Sequence, residues 1–508
     1  MEGLLSLANI PVLLIFLTVF LICYLYLQRR SNFPPGPPGL PILGNLLWSK
    51  GLKKKGIKQY QALFEASRTY GDIVSITVLG QRFVYLHGYE TIREAFVKNG
   101  DVFSNRPSWL KGLKEEIKEG KGRGFVMHGV VWQSGNAWKV LRKFVLQTLR
   151  EFGVGKTSLE QKIMREVDAA IDVLYATKGK PSDVRLLTSM MISNVIYGIV
   201  FAKRFHYKDE KLQEIIENLD KIFQGGGALS LEGMLPNFLL KLLNKEAYDR
   251  VQNRLRTITW IKEHIYGEIS NHESTFDNEN IRDFIDLYLQ AKIQHSDETI
   301  FNKGNMFRVI MELFVAGSET TSNTINWCIL YMQEYPDIQK KCQDEIFEKC
   351  GDKVVTWAER GSLPYIEATL LEIQRMANIA PVSVPHTSDV DVTLGGYFIP
   401  RRTLIIANLY SSNMDPRHWD QPEIFNPERF MEGGKLKKNP ALIPFSIGPR
   451  ICLGESLARM EMFLIFTNLL QRFTFCREDD NVKHTFENIL DQTTSAPKPY
   501  KTRAVKRA

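Results

Sequence analysis

The sequence predicts a mainly α-helical protein with a smaller β-rich region. Helical periodicity runs through most of residues 155–300 and returns in one long apolar stretch, Phe307–Tyr331. Two β-type runs, Tyr70–Val78 and Val84–His87, flank Gly80 and predict a hairpin. With 508 residues, of which 44% are hydrophobic, the chain is long enough to bury a large core.

Charge and cysteine content narrow the possible functions. The formal net charge is +8, which suits a membrane surface or an acidic protein partner. No basic block is long enough to indicate nucleic-acid binding. The six cysteines show neither paired metal-ligand spacing nor a dense disulfide framework, so a reducing compartment is favoured over the secretory lumen.

The N-terminal segment has the composition of a membrane anchor. Residues Ile10–Leu27 form an apolar run of 18 residues. As a helix this run would be about 27 Å long, close to the core thickness of an endoplasmic reticulum bilayer. A cleaved signal peptide is the alternative, but Glu2 replaces the expected basic residues and no small-residue cleavage site is obvious. The pair Arg29 and Arg30 places the rest of the chain in the cytosol by the positive-inside rule.

The anchor is followed by a proline-rich segment. Residues Phe33–Pro41 contain five prolines, which remove backbone donors and stiffen the chain as a semi-rigid spacer. The sequence therefore predicts a signal-anchor over residues 1–30, a proline-rich hinge over 31–50 and one main domain over 51–508.

The ten residues Phe445–Gly454 carry the clearest functional signal. Five of them recur at a spacing that average composition would produce with odds on the order of 10⁻⁷ per starting point. They are Phe445, Gly448, Arg450, Cys452 and Gly454. A glycine-rich loop can turn sharply beside a flat cofactor, and its N–H groups can hold a thiolate ionised for a metal. A lone cysteine is more often an inert buried side chain, but the four surrounding residues favour a ligand.

This loop resembles the haem-binding loop of the cytochromes P-450, the haem-thiolate mono-oxygenases. The resemblance extends over about residues 33–505 and is closest to the animal microsomal group that includes family 2. It implies the cytochrome P-450 fold, with haem b between a distal and a proximal helix. It also implies that Cys452 is the axial ligand of the haem iron, where a thiolate favours O–O cleavage, and that residues 51–508 form the catalytic domain.

Four further side chains resemble residues that bind the haem propionates in this family, together with Arg450. Trp138 and Arg142 lie at i and i+4 of a predicted amphipathic helix, so both can donate to carboxylates at the cofactor edge. Arg106 occupies a place that often binds a propionate. His386 is expected near another, although a satisfied surface histidine is an equal alternative.

The apolar stretch Phe307–Tyr331 resembles the distal, oxygen-activating helix. Ala316 and Gly317 lie at its middle, where the glycine and neighbouring hydroxyls allow a local opening of the backbone hydrogen bonds. Glu319 and Thr320 then resemble the family's acid–alcohol pair, which relays protons during oxygen activation. The alternative is a hydroxyl bonded to its own backbone beside an acid that points to solvent.

A third motif predicts a structural ion pair. Glu372 and Arg375 form an E-x-x-R pattern, which average composition produces roughly twice by chance in a chain of this length. Arg429 supplies a second arginine downstream, and one carboxylate shared by two guanidiniums makes a buried lock. We expect this lock to hold the Cys452 loop. Elsewhere, Arg402 replaces the glycine usual in the family, which leaves the conformation of that turn open.

These resemblances imply a mono-oxygenase that inserts one atom of dioxygen into a lipophilic substrate, by hydroxylation or epoxidation of xenobiotics, fatty acids or steroids. Electrons would come from NADPH through NADPH–cytochrome reductase, with cytochrome b5 as a further candidate partner. Lys139 and Lys143 can add positive charge to the surface where such an acidic partner docks. The expected location is the endoplasmic reticulum membrane, with a single pass and a cytosolic catalytic domain.

Two alternatives belong to other functional classes. A haem-thiolate isomerase or dehydratase would rearrange lipid peroxides without external electrons, and it would not need the intact Glu319–Thr320 pair. A non-catalytic haem-binding membrane protein would leave the complete oxygen-activation motif unexplained.

Overall fold

A computed structural model describes most of the chain. The described residues are 9–29, 32–40, 43–54, 56–109, 129–154, 157–223, 237–295, 297–489 and 494–507. They fall into two compact units, which we call the sheet unit and the helical unit. The sheet unit comprises Met1–Pro107, Val382–Ser412 and Ile447–Pro449. The helical unit comprises Ser108–Pro381, Asn413–Ser446 and Arg450–Ala508.

The α-helices outnumber the strands and supply most of the core. In chain order they are α1 (Asn9–Arg29), α2 (Leu46–Lys54), α3 (Gln59–Tyr70), α4 (Tyr89–Arg93), α5 (Gly135–Glu151), α6 (Thr157–Ala176), α7 (Arg185–Val200), α8 (Glu210–Phe223), α9 (Asn237–Leu243), α10 (Lys245–Thr275), α11 (Phe284–Gln294), α12 (Lys303–Glu334), α13 (Pro336–Cys350), α14 (Pro364–Ala377), α15 (Leu409–Asn413) and α16 (Glu455–Arg472). A π-helical turn, Glu94–Lys98, extends α4, and short 3-10 helices cover Trp357–Ser362 and Pro427–Phe430.

The strands are short and form small sheets. In chain order they are β1 (Ile73–Val78), β2 (Gln81–Leu86), β3 (Val392–Leu394), β4 (Tyr397–Ile399), β5 (Leu404–Ala407), β6 (Met431–Glu432), β7 (Lys435–Leu436), β8 (Phe473–Arg477) and β9 (Thr502–Lys506). The pairs β3–β4, β6–β7 and β8–β9 are each antiparallel. The prediction of a mainly α-helical protein with a smaller β-rich region is confirmed.

A three-stranded sheet organises the sheet unit. Strands β1 and β2 pair antiparallel, with Ile73 opposite Leu86, and β5 pairs parallel to β2, with Leu404 opposite Phe83. The predicted hairpin at Gly80 is therefore confirmed. Its two turn residues, Leu79 and Gly80, both have positive φ angles of 47° and 79°, as a type I′ turn requires.

Part of the proline-rich segment lies against this sheet. The N–H of Ser75 on β1 donates to the carbonyl of Pro35 at 2.8 Å, and its hydroxyl donates to the carbonyl of Pro34 at 2.7 Å. Further along, the N–H of Asn45 donates to the carbonyl of Thr77 at 2.6 Å. These contacts cover the edge of β1, which would otherwise offer unpaired backbone groups.

The turn before β5 keeps a glycine-like conformation although Arg402 occupies it. Arg402 has a φ of 62°, a conformation that costs a side-chain-bearing residue about 1–3 kcal/mol. Its N–H donates to the carbonyl of Ser388 at 2.9 Å. The backbone at Arg402 therefore has a conformation that glycine adopts more readily than arginine.

Helix α1 presents large apolar side chains to its surroundings. Val12 is 65% exposed and Phe16 is 66% exposed. Among the described residues, however, no helix combines the length and the apolar character needed to cross a membrane. The prediction of an N-terminal transmembrane helix is thus not confirmed.

Helix α12 runs through the core of the helical unit. It contacts α7, α10, α14 and α16, and every side chain from Thr321 to Gln333 is buried. It begins at Asn302, whose side chain accepts the N–H of Asn305 at 2.8 Å as an N-cap. A helix that is buried on all sides in this way fits a core position, and it contains the predicted stretch Phe307–Tyr331.

A carboxylate shared by two arginines ties loops of the helical unit to α14. The Glu372 carboxylate accepts hydrogen bonds from Arg375 at 2.8 Å and from Arg429 at 2.9 Å. It also accepts the N–H of Asn426 at 2.9 Å. Arg375 donates onward to three carbonyl groups of the segment 413–424. The structure thus brings Glu372, Arg375 and Arg429 into one cluster, and the glutamate and Arg375 have no exposed side-chain surface.

Replacing Glu372 with glutamine should strongly destabilise the fold. The variant leaves two buried guanidiniums without a counter-charge, and removing one partner of such a pair costs about 3–5 kcal/mol. Thermal and denaturant unfolding of the Glu372→Gln protein would measure this loss. The matched control is Glu65→Gln, because Glu65 pairs with Arg68 on an exposed surface where an ion pair contributes at most about 1 kcal/mol. Equal losses in both variants would show that the cluster is not structural.

Candidate active site

Cys452 lies in a closed loop immediately before α16. Its N–H donates to the carbonyl of Phe445 at 3.0 Å, and the carbonyl of Gly454 accepts the N–H of Ala458 at 2.9 Å at the start of the helix. Cys452 itself is exposed, whereas the helix that follows is mostly buried. Protein atoms still surround much of the thiol. This burial raises the pKa of Cys452, and the Gly454 N–H and the charge of Arg142 oppose the rise.

Helix α5 brings Trp138 and Arg142 to this loop. The Arg142 guanidinium donates to the carbonyl of Ile451 at 2.6 Å. The Arg450 guanidinium stacks over the Trp138 indole, with 3.7 Å between the guanidinium carbon and the ring centroid. Arg450 also donates to the carbonyls of Val130 and Gln133 at 3.0 and 2.5 Å. The structure therefore gathers three predicted donors, Trp138, Arg142 and Arg450, beside the Cys452 loop.

Helix α12 has one open face at its middle. Ala316 is exposed, and Gly317 and Thr320 are half-buried, although Ser318 and Thr321 are buried. The Thr320 hydroxyl donates to the Ala316 carbonyl at 2.8 Å, which is the backbone contact considered as an alternative in the sequence analysis. Apolar Ala316 and the Thr320 hydroxyl thus border the same open face.

Helix α12 is α-helical throughout, so this structure has no local opening at Gly317, and the proposal that the glycine allows one stays a prediction. Gly317 has a different reason to lack a side chain. A Cβ added to it would lie 2.8 Å from the Cδ1 atom of Ile196 on α7. The glycine therefore permits the close approach of α7 and α12.

Glu319 is buried, not directed to solvent. Only 8% of the residue is exposed, and its Oε1 accepts hydrogen bonds from Asn323 at 2.7 Å and Thr494 at 3.4 Å. Burial raises the pKa of Glu319 to about 7, and the nearby charge of Asp220 adds to the rise. Glu319 can therefore hold a proton close to neutral pH, next to the open face of α12.

The sheet unit brings two other predicted residues together. Arg106 is buried and donates to the carbonyls of Val384 and Pro385 at 3.1 and 2.8 Å. His386 is 4% exposed and stacks on Phe96 with 3.9 Å between ring centroids. Its Nδ1 lies 2.7 Å from the Phe103 carbonyl. The surface alternative for this histidine is therefore wrong, although its nitrogen is satisfied within the sheet unit.

Gly448 also belongs to the sheet unit. Its φ is 83°, and a Cβ added to it would lie 1.9 Å from the carbonyl oxygen of Phe96. No other residue fits without moving that backbone. Gly454, in contrast, has an ordinary φ of −86° and would meet no atom within 4 Å.

Comparison with known proteins now decides the family. The family described as Cytochrome P450 matches residues 34–504. The chain belongs to the cytochrome P450 family. Cytochrome P450 2J1 from Oryctolagus cuniculus is 36% identical over 497 residues, covering 96% of this chain and 94% of its own. Cytochrome P450 2J2 from Homo sapiens is 36% identical over 493 residues, with 95% and 94% covered. Cytochrome P450 2C29 from Mus musculus is 34% identical over 498 residues, with 96% and 98% covered.

This membership establishes the chemistry at a general level. The protein is a cytochrome P450 mono-oxygenase, an oxidoreductase whose cofactor is haem b and whose electrons come from NADPH through a reductase. Its mostly helical fold with small sheets is the cytochrome P450 fold. The resemblance to family 2 is confirmed.

The donor set of the helical unit fits such a cofactor. Trp138 is buried, and its indole Nε1 has no hydrogen-bond partner among the described residues. An unpaired buried N–H costs about 1–3 kcal/mol, and a carboxylate of a bound group would accept it. Arg142 and Arg450 place positive charge beside the same indole. Cys452 is an exposed residue, and its thiol supplies a soft metal ligand.

Two acidic residues of this region were missed by the sequence analysis. Asp220 on α8 lies within hydrogen-bonding reach of Glu319. Glu461 on α16 is 1% exposed, and burial raises its pKa to about 8, although Thr321 opposes the rise. Glu461 had one sequence signal, since it is an acid within an apolar helix. Asp220 had none, because its partner is about a hundred residues away.

A separate cluster resembles a metal site but is satisfied by the protein. Ligand atoms of His272, Asp283 and Asp286 lie within 4.8 Å of one another. His272 is 2.7 Å from Asp283, and Arg282 donates to Asp286 at 2.6 and 2.8 Å. The Asp283 side chain also caps α11. These ion pairs join α10 to α11 and need no metal.

The two loop glycines should respond differently to alanine. Gly448→Ala forces a side chain into a positive-φ conformation, which costs about 1–2 kcal/mol, and also displaces the Phe96 carbonyl. We expect most of this variant to lose the thiolate-type spectrum of the reduced carbon monoxide complex. Gly454→Ala is the matched control, because its Cβ has open space. Normal haem incorporation in Gly448→Ala would contradict the packing seen here.

Proposed function

We propose that this cytochrome P450 inserts one oxygen atom of dioxygen into a lipophilic substrate, with Cys452 as the axial ligand of the haem iron. The observation that carries the proposal is Cys452, an exposed residue in a loop closed by the Phe445 carbonyl. Beside it lie the cationic donors of α5 and Arg450. Haem b, when bound, supplies the activation of dioxygen, and the protein supplies position, charge and protons.

The donors divide by unit. In the helical unit, Trp138, Arg142 and Arg450 would hold carboxylates of the cofactor, since the buried indole and the two half-buried guanidiniums all offer N–H groups. In the sheet unit, Arg106 and His386 would serve the same purpose. The remaining proposed cofactor-binding residues shape the backbone or line the open face of α12. They are Phe445, Gly448, Gly454, Ala316 and Gly317.

Glu319 and Thr320 are the proposed catalytic residues. Glu319 holds a proton near neutral pH because it is buried beside Asp220. Thr320 carries the adjacent hydroxyl at the open face of α12, where it now donates to the Ala316 carbonyl. A proton held on Glu319 can pass to the open face through that hydroxyl.

The proposed substrates are apolar xenobiotics, fatty acids or steroids, which would be hydroxylated or epoxidised. Exposed Ala316 and the half-buried Leu313 and Val315 offer apolar surface at the middle of α12. Such surface orients a substrate mainly by shape, because it provides few polar contacts.

The proposed redox partner is NADPH–cytochrome reductase, with cytochrome b5 as a second donor. Lys139 and Lys143 are exposed on α5, the helix whose Arg142 contacts the Cys452 loop. Their positive charge would steer an acidic partner towards this end of the helical unit.

The decisive experiment follows labelled oxygen. The full-length protein is reconstituted with reductase and lipid and given a mixed panel of fatty acids, steroids and foreign compounds under labelled dioxygen. We expect products with one labelled oxygen atom, formed only with NADPH. In Cys452→Ser the thiolate-type spectrum of the reduced carbon monoxide complex should disappear. Rearranged peroxide products without NADPH would instead indicate an isomerase, and survival of that spectrum would refute the ligand assignment.

We also propose that the N-terminal segment over residues 1–30 attaches the protein to the endoplasmic reticulum membrane, with the hinge and the catalytic domain on the cytosolic side. The exposed apolar side chains of α1, such as Val12 and Phe16, support this attachment. Alkaline carbonate extraction of microsomes should leave the full-length protein in the pellet. A variant that lacks residues 1–30 should be released. Release of both proteins would contradict an attachment that resists carbonate.

A further inference from the structure

Two carboxyl groups from different helices meet beside the open face of α12. Asp220 on α8 lies within hydrogen-bonding reach of Glu319, and α8 contacts α12. Glu319 is buried and Asp220 is half-buried. The hydrogen bonds that Asn323 and Thr494 donate both end on Oε1 of Glu319. This leaves Oε2 of Glu319 as the oxygen that can carry a proton towards Asp220.

Two neighbouring carboxylates in a poorly solvated site cannot both stay ionised. The surrounding charges decide which one keeps the proton. Arg185 at the start of α7 and Lys221 on α8 favour an ionised Asp220, whereas Glu217 on α8 opposes it. Around Glu319, the charge of Asp220 raises the pKa of its carboxyl, whereas the described donors Asn323 and Thr494 are neutral. The proton therefore resides on Glu319 and is donated to Asp220.

We propose that Asp220 is a positioning residue for the proton relay: its carboxylate accepts a hydrogen bond from protonated Glu319 and keeps that proton beside Thr320. This inference rests on the mono-oxygenase function proposed above and adds a residue to it. Asp220 lies on α8, not on α12. It acts through Glu319.

The sign of the effect on pH dependence follows from the charges. Glu319 donates a proton only while it is neutral, and its neutral fraction falls as the pH rises through its pKa, which is about 7. Asparagine at position 220 removes the negative charge that favours the neutral form, and its amide can donate to an ionised Glu319. Both changes lower the pKa of Glu319. In Asp220→Asn, the yield of product per NADPH consumed should therefore fall at a lower pH than in the wild-type enzyme.

The experiment compares the full-length holoenzyme with Asp220→Asn in the presence of reductase and lipid. Product formed per NADPH consumed, and hydrogen peroxide released, are measured across slightly acidic to slightly alkaline pH. We expect the midpoint of the coupling curve to move down by about one pH unit, the size typical of one nearby charge. Asp220→Glu restores the charge and should restore the midpoint. Glu214→Gln is the matched control, because Glu214 is an exposed carboxylate of α8.

A second measurement tests the role of Asp220 in the resting enzyme, without catalytic turnover. The infrared carbonyl band of a protonated carboxylic acid is followed by pH titration in the resting enzyme, with Glu319→Gln identifying the band. The midpoint pH of this titration should be lower in Asp220→Asn and unchanged in Glu214→Gln.

The two readouts separate the possible failures. Unchanged midpoints in Asp220→Asn, or equal shifts in Glu214→Gln, would overturn the role of Asp220. Absence of any labelled product from the wild-type enzyme would overturn the proposed function instead, while the infrared titration would still test the carboxyl pair. If Asp220→Asn retains little haem, the same titration on Asp220→Ser, which also removes the charge, decides the question in the same way.

Discussion

A carboxyl group that is buried in this protein loses its hydrogen bonds to water. The protein groups that compensate for this loss differ from site to site. At Glu372 the replacement is positive charge, because two guanidiniums and one backbone N–H donate to the carboxylate. At Glu319 the described residues place no guanidinium in contact, and two neutral side chains donate to one oxygen. The first arrangement gives a fixed ion pair that ties loops to α14. The second favours a bound proton, which is why the two glutamates suit different tasks.

The sequence could predict what depends on local spacing. The hairpin at Gly80 follows from two alternating runs and a two-residue turn, and the structure has β1 and β2 there. The long helix was predicted over Phe307–Tyr331 and is found over Lys303–Glu334. The difference at its start comes from Asn302, a capping residue that the periodicity of apolar residues does not include.

Contacts made by tertiary packing could not be predicted in the same way. Gly317 was interpreted as a weak point in the helix, yet the structure has Ile196 of α7 where a side chain would be. Flexibility and close packing both favour glycine, so the residue alone does not distinguish them. Arg402 is the converse case, because its φ of 62° is that of a glycine turn. There the hydrogen bond to Ser388 and the neighbouring strands fix the backbone.

The same distinction explains why the sequence predicted only one member of the pair formed by Glu319 and Asp220. Glu319 stands in a recognisable motif on α12, whereas Asp220 reaches it only because α8 is held in place. That position depends on a small apolar cluster in which Met190 of α7 packs against Leu212 and Ile216 of α8. The protonation of Glu319 is therefore coupled to helix packing, since burial raises its pKa and the charge of Asp220 on a neighbouring helix adds to the rise. A change that shifts α8 would alter the acid without touching either carboxyl group.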